Sequence, residues 1–429
     1  MKYQFSESNR LFKKVSAVIP LASQTFSKSY LQFVGGQSPL FLERGKGAQV
    51  WDVDGNKYTD FISALLPVIL GYQYKPVDDA ISAQLKSGII FSLPSPLEYE
   101  LASLLVKHIP GAEMVRFGKN GSDATTGAIR VARAVTGRDH VAACGYHGWH
   151  DWYIGATTRN LGVPKATQKL THIFEYNNID SLKNIFKKHK SEVAAVIMEP
   201  MNYVEPKKGF LKSVKKLARE NGALLIFDET ITGFRWSLGG AQKYFGVTPD
   251  LSTFGKSMAN GMPISALVGK KKYMKKVEDV FYSFTQGGEA LSIAAAIATI
   301  KEIEKKSVIN YIWKLGKYLQ DETAKLIDLN GLEHILKITG KPCWQVFKIS
   351  PAKKYTDLEI KSFLQQQIIQ EGFLWYGQHN MSFSHTRKDI EALLQVYKKA
   401  FAQLKEAIER RELKKAIKGK PIANIFKVR

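Results

Sequence analysis

Lys256 follows Ser252-Thr253-Phe254-Gly255, a short strand closed by a glycine, and a glycine turn, Asn260-Gly261-Met262-Pro263, comes after it. A lysine delivered there can condense with a carbonyl to form a Schiff base, or it can snorkel to the surface as a plain charge. About 28 residues earlier, the apolar run Ala223-Leu224-Leu225-Ile226-Phe227 delivers Asp228 and Glu229. Taking carboxylates out of water is costly unless a cation or hydrogen-bond donors meet them, so a cationic partner is expected. Gly121 and Ser122 precede a helical pattern and follow a short strand pattern, Met114 to Phe117. Backbone N–H groups and the positive end of a helix dipole suit a phosphate, although an ordinary Ser/Asp N-cap with a glycine turn has the same composition. A fourth segment, Cys144 to Trp152, is dense in rings and contains Tyr146, His147 and His150. An aromatic there can stack on a planar group or simply pack beneath a loop. His147 and His150 lack a supporting carboxylate pattern, so no metal is assigned.

These four features suit one cofactor together better than four separate structural roles. Pyridoxal 5'-phosphate needs a phosphate cup at a helix N-terminus, an aromatic against one ring face, a carboxylate at the pyridine nitrogen and a lysine for its aldehyde.

The positioning elements follow from alternation of strand and helix patterns. Strands are expected at Met114 to Phe117, Val141 to Ala143, Val193 to Met198, Ala223 to Phe227 and Ala266 to Val268, with helices over Ala124 to Val135 and around Val214 to Glu220. That order implies an α/β layer architecture with a mostly parallel sheet, whose ligands gather at the carboxyl ends of the strands. Residues 40 to 62 read as a hairpin with Asp54-Gly55 at its turn. Beyond residue 310 the pattern shifts to amphipathic helices and a few strands, ending with Ile390, Leu393, Tyr397, Phe401, Leu404 and Ile408 at helical spacing. The expected organisation is an N-terminal segment over 1–65, a large cofactor-binding domain over 66–310 and a smaller C-terminal α+β domain over 311–429.

A chain of 429 residues, 45% apolar and 24% charged, supports two or three packed units and excludes disordered, collagenous and small secreted classes. Its longest apolar runs, such as Ser292 to Ile300, fall short of a membrane span, and the N-terminus lacks a signal-peptide core. Two cysteines, Cys144 and Cys343, make no disulfide framework. A cytoplasmic protein is expected. The 62 basic residues against 39 acidic ones give +23, but much of the excess is lysine scattered on polar helix faces, as at Lys183, Lys187, Lys188 and Lys190. No nucleic-acid motif accompanies it, so solvated faces are the reading and anionic substrates stay compatible.

The motifs PLFLERGKGAQVWDVDGNKYTDFI, EMVRFGKNGSDATTGAIRVARAVTGR, YHGW, VIMEP, LLIFDETITGFR, STFGKSMANGMP and FTQGGEALSIAAA run from Pro39 onward. In combination they resemble the class III, fold-type I pyridoxal-phosphate aminotransferases, and most of all the branch containing glutamate-1-semialdehyde aminomutase. The resemblance implies that Lys256 is the Schiff-base lysine, Asp228 holds the pyridinium nitrogen, Tyr146 stacks on the ring beside His147, and Gly121 and Ser122 bind phosphate. It also implies that Thr285 reaches the cofactor phosphate of a second subunit, hence a homodimer with shared sites. Glu199, in Met198-Glu199-Pro200, is a candidate for organising the site or a plain strand-end residue; Arg159 is a candidate substrate contact or a surface ion pair.

The departures bear on the substrate. The family's arginine-bearing segment before its Gly-Gly pair is here Ser27-Lys28-Ser29-Tyr30-Leu31-Gln32-Phe33-Val34-Gly35-Gly36, with no arginine. Lys28 or Arg159 can replace it as a point charge. The stretches SQTFSKS, TQGGEALS and SHT, with the ending KGKPIANIFKVR, are similar to aminomutase-like aminotransferases of surface-polysaccharide pathways. The expected activity is amino transfer from an amino-acid donor to a small carbonyl substrate, in a setting such as surface-polysaccharide or nucleotide-sugar-related biosynthesis; the alternative is the intramolecular aminomutase.

Overall fold

A computed structural model describes residues 3–423; residues 424–429, the last six of the KGKPIANIFKVR stretch, lie outside the described residues. Two compact units emerge, one over 75–309 and the other combining 3–74 with 310–423.

The first unit is built on a seven-stranded sheet: β1 (Met114–Gly118), β2 (His140–Cys144), β3 (Thr171–Ile173), β4 (Val193–Met198), β5 (Leu224–Asp228), β6 (Leu251–Phe254) and β7 (Ser265–Gly269), in the order β1-β7-β6-β5-β4-β2-β3. All neighbouring pairs among β2 to β6 are parallel, and only β7 runs antiparallel, against both β1 and β6. Parallel neighbours need crossover helices, which cover both sheet faces and explain why β4 and β5 are apolar without alternation. Every residue of those two strands is buried. The helices used below are α1 (Gly121–Thr136), α2 (Ile179–Lys188), α3 (Phe210–Glu220), α4 (Gly240–Phe245) and α5 (Ala290–Lys305). One core face packs Ala128, Ile129 and Ala132 of α1 against Val141, Ile197 and Ile226; the other packs Phe210, Val214 and Ala218 of α3 against Val196, Leu225 and Phe227.

The first helix starts at Gly121, three residues before the expected Ala124, because Asn120 caps it. The Asn120 side chain accepts from Ser122 N–H at 3.0 Å while Asp123 Oδ2 accepts from Asn120 N–H at 2.9 Å, a reciprocal capping box.

In the second unit the expected hairpin is a three-stranded antiparallel meander, Leu42–Lys46, Gln49–Asp52 and Lys57–Asp60, joined in parallel by Phe373–Leu374. Asp52 shapes the second turn by accepting from Asp54 N–H (3.0 Å), Asn56 N–H (2.8 Å) and the Tyr58 hydroxyl (2.7 Å), and Gly55 supplies the positive φ of 82°. A second sheet pairs Leu336–Lys341, Trp344–Ile349 and Gln378–Asn380. The long helix Arg387–Glu409 buries Ile390, Leu393, Tyr397, Phe401, Leu404 and Ile408, the whole stripe read from their spacing. Among the described residues no helix is long and apolar enough to cross a membrane.

Candidate active site

The parallel sheet aims its strand ends at one region, and β5 supplies its central charge. Asp228, at the carboxyl end of β5, is buried, and both of its oxygens are engaged. Oδ2 lies 2.9 Å from His147 Nδ1, and Oδ1 accepts from the Thr230 hydroxyl (2.5 Å), Thr230 N–H (3.1 Å) and the Thr253 hydroxyl (3.1 Å). Burial pushes the Asp228 carboxyl up, but His147 and Thr230 outweigh it and hold the group below the ordinary carboxylate range. Thr253 is a contact that strand-by-strand reading missed. It comes from the neighbouring strand, where the parallel register sets Asp228 beside Thr253.

Glu229 corrects an expectation. It is fully buried, yet backbone N–H groups of Ala241 and Gln242 donate to it at 2.7 Å each, and Thr232 donates its hydroxyl. Hydrogen-bond donors at the start of α4 meet this carboxylate where a cation was expected, and burial raises it to about 7. Gly240 permits the approach, since a Cβ there would lie 2.5 Å from Glu229 Oε2.

Lys256 sits at the carboxyl end of β6 with φ of 42°, a left-handed conformation uncommon for a residue with a side chain. Burial lowers its pKa, and the charges of Glu199 and Asp228 pull it partly back. Its ammonium has no hydrogen-bond or ion-pair partner among the described residues. An amine held in that state is matched to condensation with an aldehyde.

The β2 carboxyl end leads into Gly145-Tyr146-His147-Gly148. His147 is buried, with Nε2 3.1 Å from the Cys144 carbonyl, whereas Tyr146 is 48% exposed and meets Tyr153 edge-on at 5.7 Å. Glu199, just beyond β4, is buried and accepts from Tyr146 N–H (3.2 Å) and Asn202 (2.9 Å). Burial and the Asp228 charge raise its pKa. At α1, the Ser122 N–H is taken by the Asn120 cap and its hydroxyl accepts from Trp149 N–H at 3.3 Å, while the Gly121 N–H has no partner among the described residues.

Three further sequence candidates are Arg159, Thr285 and Lys28. Arg159 and Thr285 are exposed, Thr285 in the segment between β7 and α5. That segment is tied to the loop before α1 by the Lys119–Glu289 ion pair at 2.7 Å. Lys28 belongs to the other unit and is exposed on the single turn Phe26–Lys28.

The residues present fit pyridoxal phosphate: an unpartnered amine of lowered pKa, a buried ionised carboxylate, a half-exposed tyrosine beside it in the chain's ring-rich loop and an unpaired N–H at the start of a 16-residue helix. The family model for class-III aminotransferases matches residues 32–387. The chain is a class-III aminotransferase. Similar proteins agree with that assignment. The aminotransferase is 38% identical over 420 residues to the 3-aminobutyryl-CoA aminotransferase of Cloacimonas acidaminovorans (strain Evry), covering 95% of this chain and 99% of the relative. It is 32% identical over 430 aligned residues to the glutamate-1-semialdehyde 2,1-aminomutase of Natranaerobius thermophilus, covering 93% and 99%. Among solved structures, the FumI protein of Sphingopyxis sp. MTA144, in its PLP internal aldimine form, superposes with a TM-score of 0.87 at 29% identity, covering 94% of this chain and 97% of that one. The aminotransferase is therefore a fold-type I, pyridoxal-phosphate-dependent enzyme.

Proposed function

We propose that the enzyme moves an amino group from an amino-acid donor to a separate small carbonyl acceptor, with Lys256 and Asp228 as its catalytic residues. The observation that carries this reading is the unpartnered Lys256 amine, its pKa lowered by burial, in the field of Asp228 and Glu199. Pyridoxal phosphate, when bound, supplies an aldehyde for the amino group and an electron-withdrawing ring that acidifies the substrate C–H bond. Asp228 holds the proton at the ring nitrogen, and His147 with Thr230 keeps Asp228 ionised. Lys256, once free, moves a proton to and from the substrate carbon from Nζ, which its lowered pKa suits. Gly121 and Ser122 hold phosphate, Tyr146 stacks on the cofactor ring, and Glu199 fixes the Tyr146 backbone.

The missing arginine near Ser29 supports two-substrate transfer over the aminomutase, because a mutase must retain its intermediate by a firm anchor such as a bidentate arginine. Exposed Lys28 and Arg159 offer single charges for an anionic substrate. An acceptor bearing phosphate fits the +23 net charge, the similarity to surface-polysaccharide enzymes and the relative named for a CoA ester. A cytoplasmic homodimer completes the proposal. Ile89, Ile90, Phe91 and Leu93 are exposed apolar residues, and Ala290 N–H bonds the Ile89 carbonyl at 2.8 Å, which puts that patch beside the segment carrying Thr285.

The test is a half-reaction with glutamate alone. Stoichiometric release of the keto acid without an acceptor supports two-substrate transfer. Efficient conversion of glutamate-1-semialdehyde to aminolevulinate with no added donor would establish the mutase instead.

A further inference from the structure

Three histidines converge at the end of the sheet opposite Lys256. His140 opens β2 at its amino end, and His172 lies on the adjacent β3, opposite Ala142 in the register. Side chains two apart share a face, so His140 and His172 project the same way. His189 follows α2 directly. His140 Nδ1 lies 2.7 Å from His172 Nε2, and the His189 ring stacks on both, 4.5 Å from His140 and 4.0 Å from His172. One ring nitrogen from each of the three lies within 4.8 Å of the other two.

The rings are prepared as ligands. A hydrogen bond between two imidazoles requires a lone pair on one of them, so the His140–His172 contact already places a lone pair in the cluster. Glu192 lies 3.1 Å from His189 Nδ1 and 3.8 Å from His140 Nε2. Donation from His189 Nδ1–H to that carboxylate leaves the lone pair on Nε2, which is buried with no hydrogen-bond partner. A carboxylate on the outer nitrogen and an open inner nitrogen is the arrangement of a metal-ligating imidazole.

We propose that His140, His172 and His189 bind one divalent late transition ion of the zinc or nickel class, oriented by Glu192 from behind. Three imidazoles select such ions over magnesium or calcium, which take oxygen donors. Zinc–nitrogen bonds of about 2.0–2.1 Å place tetrahedral ligands roughly 3.3 Å apart, so the 2.7 Å contact opens by about half an ångström as His189 turns in. His172 and His189 also line a cavity of about 690 Å³ together with Lys165, Lys169 and Lys188. Those lysines favour an anion as the fourth ligand, and Lys188 and Arg133 oppose the cation that Glu192 and Asp139 attract.

The test uses the full chain loaded with pyridoxal phosphate and freed of metal by dialysis against a chelator. Titration with Co²⁺ should give visible ligand-field bands saturating at one ion per chain, displaced by Zn²⁺, and Zn²⁺ should raise the melting midpoint. His172→Gln and His189→Gln should each weaken binding at least a hundredfold, while Glu192→Gln weakens it about tenfold through ligand orientation. His334→Gln, at an exposed position in the other unit, should leave it unchanged. Keto-acid release from glutamate should persist in His172→Gln, which separates this site from the Lys256 chemistry. Absence of the cobalt bands in the parent protein, or equal zinc binding by both ligand variants and by Glu192→Gln, would overturn the proposal. Glu192→Gln keeps all three rings and so remains decisive if a ligand variant does not fold.

Discussion

His147 joins Asp228 to the strand that precedes it: Nδ1 is 2.9 Å from the carboxylate and Nε2 is 3.1 Å from the Cys144 carbonyl. Both partners are hydrogen-bond acceptors, so the ring is clamped between the carboxylate and the backbone. The pairing fixes the carboxylate and supplies the largest influence opposing its burial.

His147→Ala removes that influence and leaves burial acting against the Thr230 and Thr253 hydrogen bonds. The Asp228 pKa then rises, and the carboxylate is lost at a higher pH as acid is added. The acidic limb of the half-reaction should move to higher pH, with a rate loss of about tenfold to a hundredfold at neutral pH. Stability moves the same way, because a depressed carboxylate pKa stabilises the fold above its unfolded value and loses that contribution as pH falls. A pH–rate profile identical to wild type would contradict the pairing.

Asp228→Asn keeps the shape but not the charge. Proton abstraction should slow by about two orders of magnitude or more, while the cofactor remains bound through its phosphate contacts. Single-turnover rates alongside cofactor content measure the two effects separately. Activity within a few-fold of wild type would remove Asp228 from the ring nitrogen.

Borohydride treatment of the holoenzyme should fix the cofactor on Lys256, because an imine between an aldehyde and an amine is reducible. Peptide mapping reads the site. Lys256→Ala should abolish turnover and leave the circular dichroism spectrum unchanged, and label found on another lysine would displace the assignment.

Mixing Lys256→Ala with Thr285→Ala probes whether sites are shared. Exposed Thr285 is proposed to act in the partner's site, so a hybrid dimer carries one doubly damaged site and one intact site. Activity should partly recover once subunits exchange. Proven exchange without recovery would place Thr285 in its own subunit's site.

How much of this was legible depends on whether the signal was local. The apolar run ending at Asp228 could be read directly, since a strand covered on both faces shows no alternation. Lys256, Gly121 and Ser122 stood out by their places after strands. The helix start was misplaced because Asn120 caps it and Asp123 completes the cap, a choice among several polar residues in a row. The cation expected for Glu229 gave way to N–H donors twelve and thirteen residues on, which no local pattern announces. Thr253 beside Asp228 and the grouping of His140, His172 and His189 both depend on which strands are neighbours.

Gly148→Ala tests the phosphate end through backbone geometry. Gly148 has φ of 103°, strained for any residue with a Cβ, and a Cβ there would lie 2.8 Å from Ser122 Cβ and 3.1 Å from its Cα. The neighbouring Trp149 N–H donates to the Ser122 hydroxyl, so the loop and the start of α1 move together. The added methyl group must push them apart and displace Ser122 from its place at the helix N-terminus. Cofactor affinity should fall about tenfold, read as faster loss of bound pyridoxal phosphate on dilution, and excess cofactor should restore most of the turnover. Asp228 ends β5 and Lys256 follows β6, both outside this loop, so the rate at saturating cofactor should change less than the affinity. A variant that binds the cofactor as tightly as wild type would show that Ser122 contributes little to holding phosphate.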